Sequence, residues 1–328
     1  MSYRHLIAAL TMLVVALFAL SLVTGVARVG PGESLAALFR DDGGPLTMVM
    51  REIRLPRAIL AVMIGVSLGL SGAAMQGFLR NPLAEPGLIG VSSSAALGAV
   101  LALQTGFAAS FALALPVAAL VGALVGVGAI LFLAGPGGGA FTLILAGIAL
   151  SALTGALTSL VLNLSPNPFA ANEIVFWMMG SLADRSFDHV LMALPIMALG
   201  WLALARTGRG LEALTLGEDA AASMGVDLAR LRLILLGGVA ASVGAATAVA
   251  GAIGFVGLVV PHLLRPLVGG RPSRLLLASA LGGAALVLAA DIAVRMVLPG
   301  RDLKLGVLMA LVGAPVFLNL IWRMRGQS

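Results

Sequence analysis

The chain has 328 residues, 60% of them hydrophobic and only 10% charged, with a mean hydropathy of +1.09. A soluble domain carries roughly 25% charged residues, so this composition excludes a water-covered globule and predicts an all-α polytopic membrane protein with room for about ten spans of ~20 residues. Cysteine is absent, which excludes disulfides and thiolate chemistry, and the net charge of +6 is scattered at the ends of apolar runs, which excludes the aromatic-interleaved basic stripe of a nucleic-acid binder.

Apolar runs predict spans at 6–27, 58–78, 89–105, 109–134, 142–164, 188–205, 231–250, 252–268, 275–297 and 305–322. Together they make one transmembrane domain over 1–328; little sequence remains for a separate soluble domain, which argues against a fused ATPase, and no Gly-x-x-x-x-Gly-Lys-Ser/Thr phosphate loop is present. The run from Leu6 to Ala27 exceeds the 7–15 apolar residues of a secretion signal, so an uncleaved first span is expected. With both termini inside, alternating spans put eleven of the twenty basic residues on the cytoplasmic side. The bias is clearest in the loops 206–232 and 265–274. Arg51, Arg54 and Arg57 cluster outside against that rule, which marks them for a functional reading.

The Gly/Ala-rich span opened by Arg54 resembles the one opened by Arg230, and five spans separate the two. An odd number inverts the copies, as in the inverted repeats of transport proteins. Gly65, Gly69, Gly72 and Ala73 place small faces at helical spacing, suited to close helix packing.

Polar islands interrupt these runs. Asn81-Pro82-Leu83-Ala84-Glu85-Pro86 must leave helix geometry before each proline. It reads either as a stiff loop or as a pore-lining turn. Ser92, Ser93 and Ser94 follow, suited to hydrating a path or to bonding back to helix carbonyls. In the 206–232 loop, Thr215 and Glu218 have capping-box spacing and Gly225 would end a helix too short to span. The apolar face of Leu216, Ala221 and Met224 lies outside lipid, which favours a docking partner over a membrane-surface helix. His262, after Pro261, is expected to make a structural hydrogen bond, because the three histidines lack metal-ligand spacing. Asp291 and Arg295 stand four apart on one helix face. They read as an ion pair, or Asp291 reads as the titrating group of a proton-coupled secondary transporter. No catalytic constellation emerges.

Several segments taken together resemble the permease of type II ABC importers for iron–siderophore, haem and vitamin B12 uptake. They are Arg54-Leu-Pro-Arg57, Ser71-Gly-Ala-Ala-Met-Gln76, Asn81–Gly90, Trp177-Met-Met-Gly180-Ser181-Leu182, Leu216-Gly217-Glu218 with Ala221 and Gly225, Phe255-Val-Gly-Leu-Val-Val-Pro-His262 with Arg265, and Gly313-Ala-Pro315. The resemblance runs from Arg54 to Phe317. It implies ten transmembrane helices with an inverted five-helix pseudo-repeat, in the inner bacterial membrane. It also implies a dimer of permeases on ATP-binding cassette subunits, fed by a periplasmic or lipid-anchored substrate-binding protein. No cofactor is implied for this chain, and ATP and Mg belong to the partner ATPase. By resemblance, the element at about 211–227 is the coupling element, with Leu216, Gly217, Glu218, Ala221, Met224 and Gly225 meeting the ATPase. Arg54, Arg57 and Arg295 are expected to dock the binding protein, and Asn81, Pro82 and Leu83 to form the gate. The chain departs from the family pattern at Asp302-Leu-Lys304-Leu-Gly306, where Lys304 is placed to reach substrate carboxylates, and at Met309. The glycine-rich loop Gly135–Gly139 leaves the gate residues after the fourth span unassigned.

Overall fold

The computed structural model describes residues 2–25, 30–40, 43–111, 113–135, 139–165, 168–297 and 303–325, and no β-strand occurs among them. Helix α1 (Tyr3–Val23) starts from Ser2, whose hydroxyl accepts the His5 N–H. Short helices α2 (Pro31–Ala37) and α3 (Pro45–Met48) follow α1, and a π-helical turn at Val49–Arg54 leads into α4 (Leu55–Phe78). Next come α5 (Val91–Gln104), α6 (Ala114–Ala134), α7 (Ala140–Asn163), α8 (Pro168–Met178) and α9 (Phe187–Arg206). The short α10 (Gly208–Leu214) and α11 (Glu218–Ser223) follow, then α12 (Leu228–Ala250), α13 (Val256–Leu264), α14 (Pro272–Val297) and α15 (Leu305–Arg325).

Among the described residues, seven helices are long and apolar enough to cross a membrane; α5 and the apolar part of α15, Leu305–Asn319, are shorter. The expected span 252–268 is corrected. Its helix, α13, has nine residues, about 13 Å at 1.5 Å per residue, so it covers half a bilayer. Residues 251–254 enter it without helix, and Phe255 caps it with φ +67°. Such backbone is tolerated at membrane depth only inside protein or along a cavity. Here neighbouring segments hold it, although Gly254 is exposed: Ser181 N–H bonds the Ala250 carbonyl at 2.7 Å, and a Cβ on Gly313 would collide with the Phe255 side chain.

The centre of the molecule is α4, α12 and α14, the most deeply buried of the long helices. The glycines of α4 explain their closeness. A side chain at Gly65 or Gly69 would fall on the backbone of α14, and one at Gly72 on Gly257 of α13. Lipid gives helices no hydrophobic drive to associate, so close backbone approach and dispersion replace it. The two helices that open the inverted copies, α4 and α12, pack against each other in this centre.

Candidate functional site

At one end of the molecule, α4 stops at Phe78 and Arg80 takes φ +49°. The Asn81 side-chain oxygen accepts the Leu83 N–H at 2.9 Å, and the Ala84 N–H bonds the Asn81 carbonyl, so Asn81 ties its own turn. Asn81, Pro82 and Leu83 are half-buried, whereas Ala84 is buried. Pro86 opens a 3₁₀ turn, Pro86–Ile89, and Gly90, at φ +72°, starts α5. The Ser93 hydroxyl bonds back to the Gly90 carbonyl, while Ser92 meets Thr247 of α12.

Two residues that sequence reasoning left without a role fix this segment. Glu85 accepts the Phe255 N–H at 2.5 Å, capping the free end of α13. Burial pushes the Glu85 carboxyl above its usual range, and the Phe255 N–H opposes that shift. Gln76, fully buried on α4, donates to the Gly257 and Leu258 carbonyls and accepts from Arg265 at 2.7 Å. A glutamine inside an apolar span was the available signal. The hydrogen bond expected of His262 is not made at Nδ1, which is buried without a partner among the described residues, while its neighbour Arg265 bonds Gln76.

The 211–227 element lies beside the 81–90 segment. Gly217, at φ +107°, is the N-cap of α11, not Thr215, whose hydroxyl bonds back to the Glu212 carbonyl. The expected capping box is therefore absent, because Thr215 belongs to the end of α10. Gly225, at φ +83°, closes α11, and the Val226 N–H bonds the Ala221 carbonyl. The expected apolar face divides: Ala221 is buried, while Leu216 and Met224 are 69% and 64% exposed. Glu218 is half-exposed, 3.9 Å from Arg80 at the start of the gate segment. Through α10, Leu211 packs on Gly77 at the end of α4, and Glu212 bonds Ser273 at the start of α14.

At the opposite end, Arg57 and Arg295 hold Asp291 at 2.8 and 3.0 Å. Asp291 is fully buried. Arg295 also bonds the Ser21 and Thr24 carbonyls, and Arg54, 5% exposed, bonds the Leu22 carbonyl. The three arginines thus have partners inside the chain and join the ends of α1, α4 and α14 on this side of the molecule. Lys304 stands over the Phe176 ring of α8 at 5.5 Å. Arg301 and Asp302 lie outside the described residues. No group of three or more candidate metal ligands occurs among the described residues.

An all-helical architecture with a half-helix and a short helix pair beside the 81–90 segment narrows the comparison, and residues 13–323 match the FecCD transport family. The chain belongs to that family. The permease is 41% identical to the hemin transport system permease of Yersinia pestis over 291 residues, 84% of each chain. It is 36% identical to the vitamin B12 import system permease of Klebsiella pneumoniae, covering 99% of this chain and 96% of that one. A metal-chelate type ABC transporter solved in an inward-facing conformation superposes with TM-score 0.83 at 32% identity, over 98% of this chain and 99% of that one. The permease is therefore a transport subunit of the iron-chelate, haem and vitamin B12 ABC importer class, and nothing in the fold supports a proton-coupled carrier built on Asp291.

Proposed function

We propose that the permease, acting as one unit over residues 1–328, carries an iron chelate, haem or a cobalamin-type substrate across the inner bacterial membrane, driven by a separate ATPase. The observation that carries this reading is the contact series from α11 through α10 to the last turn of α4, which ends at Asn81. A push on Leu216 and Met224 by an ATPase groove reaches the gate through Leu211 and Gly77 without crossing a flexible linker. Asn81, Pro82 and Leu83 then open or close the inner mouth, while Glu85 and Pro86 keep that segment seated on α13.

The path is read along the side of the chain that carries α7, α8 and α15. Lys304 and Phe176 stand at its outer end, and the 3₁₀ turn after the gate packs on α7 at its inner end. A path on the flank of one chain needs a second copy to close it, which supports a homodimer. The binding protein docks at the outer end with Arg54, Arg57 and Arg295 beneath the docking face. Both termini are cytoplasmic, consistent with the basic 206–232 and 265–274 loops.

The deciding experiment is purification of the tagged chain in mild detergent with its genomic neighbours co-expressed, followed by reconstitution. Recovery of an ATPase in equal amount, two permeases per particle and ATP-dependent uptake of a chelate are expected. Recovery of the chain alone, even after crosslinking from position 218, would overturn the importer reading.

A further inference from the structure

Two cavities lie end to end on α1 and α14, away from the proposed path. The first, of 740 Å³, is lined by Ser2, Tyr3 and Arg4 at the start of α1, and by Arg271 and Arg274 at the start of α14. Arg274 stands 5.2 Å above the Tyr3 ring, and the Tyr3 hydroxyl donates to the Arg274 carbonyl, so the two helix starts are joined there. No carboxylate lines this cavity, and neither Arg4 nor Arg271 has an ion-pair partner among the described residues. Three arginines therefore line one space.

The second cavity, of 380 Å³, is an apolar groove between α1, α13 and α14, reaching from Leu10 to Leu17 on α1 and from Gly282 to Ala289 on α14. At 1.5 Å per residue, it starts about 9 Å from Arg4 and ends about 20 Å from it; on α14 the corresponding distances from Arg274 are about 12 and 22 Å. One leaflet of hydrocarbon is about 15 Å deep. The half-helix α13 lines this groove with Val259, Val260, Leu263 and Leu264.

We propose that these two cavities form one binding site for an anionic glycerophospholipid, its phosphate held by Arg4, Arg271 and Arg274 and one acyl chain lying in the α1–α13–α14 groove. Charge selects the headgroup, and the depth of the groove selects a chain that reaches mid-bilayer. The lipid then braces α1 against α14, the helices whose opposite ends are joined by Arg295.

The test uses the full chain, delipidated in detergent and titrated with phosphatidylglycerol, phosphatidylcholine or inorganic phosphate, with bound lipid counted by native mass spectrometry and melting followed in parallel. One phosphatidylglycerol per chain, retained in preference to phosphatidylcholine, is expected. Replacing Arg4→Ala and Arg271→Ala together should weaken it about 30-fold at low salt, from roughly fivefold per arginine. Wild-type protein should also bind dihexanoyl phosphatidylglycerol at least about tenfold more weakly than the long-chain lipid, since fewer methylenes are buried. That arm needs no variant to fold. Equal retention of phosphatidylcholine would overturn the proposal, as would displacement of the lipid by millimolar phosphate or indifference to chain length.

Discussion

Asp291 is the residue on which two readings met, and its surroundings separate them. A titrating carboxylate needs a route for protons and freedom to change charge, whereas this one is fully buried between two guanidinium groups. Removing one partner of a buried ion set leaves uncompensated charge at a cost of about 3–5 kcal/mol. Asp291→Asn should therefore lower the melting temperature sharply in detergent, while uptake per folded molecule stays ATP-driven and indifferent to a protonophore. Loss of uptake with an unchanged melting temperature would restore the carrier reading. The same geometry changes what is expected of Arg57. Arg57→Glu places a second carboxylate against Asp291, so folded yield should fall at every ionic strength, where a purely docking residue would show a salt-sensitive loss of binding-protein affinity alone. Glu85→Ala should expose the Phe255 N–H without an acceptor, at about 1–3 kcal/mol, measurable as earlier melting and faster proteolysis at the 251–255 segment.

At the scale of elements, α10 and α11 show how little sequence is needed to fix a short helix pair to the bundle. Gly217 permits a φ that other residues adopt only with strain, and Leu211 fixes the pair to α4. Leu216→Asp combined with Met224→Asp should abolish co-purification of the ATPase without altering the melting temperature, because both side chains are exposed. Glu218→Arg should leave the ATPase bound but uncouple hydrolysis from uptake, since it faces Arg80 at the head of the gate segment. Stoichiometric pull-down and the ratio of transport to hydrolysis in proteoliposomes read these two outcomes. The capping box expected at Thr215 fails because the motif records spacing only. Whether Thr215 caps the next helix or finishes the previous one depends on Gly217, whose conformation breaks the chain between them.

Across the whole molecule, the spans and the polar islands were legible because hydropathy and proline chemistry act locally: apolar length selects a span, and Pro82 and Pro86 forbid continued helix. The glycines of α4 and the breaks in helix at 81–90 and 215–227 were legible as motifs for the same reason. What tertiary structure alone decided is which polar groups meet. The half-length of α13 follows from packing of Gly257 against Pro86 and Gly72, and from the cap supplied by Glu85, 170 residues away. The partners of Arg54, Arg57 and Arg295 come from α1 and α14, so a charge pattern that reads as an exposed docking surface becomes a buried tie between helices. Sequence determines where a chain of this composition enters and leaves the membrane, because solvent acts on each residue independently. Contacts between distant residues determine what the charged ones do, because a buried charge is defined by its neighbours in space.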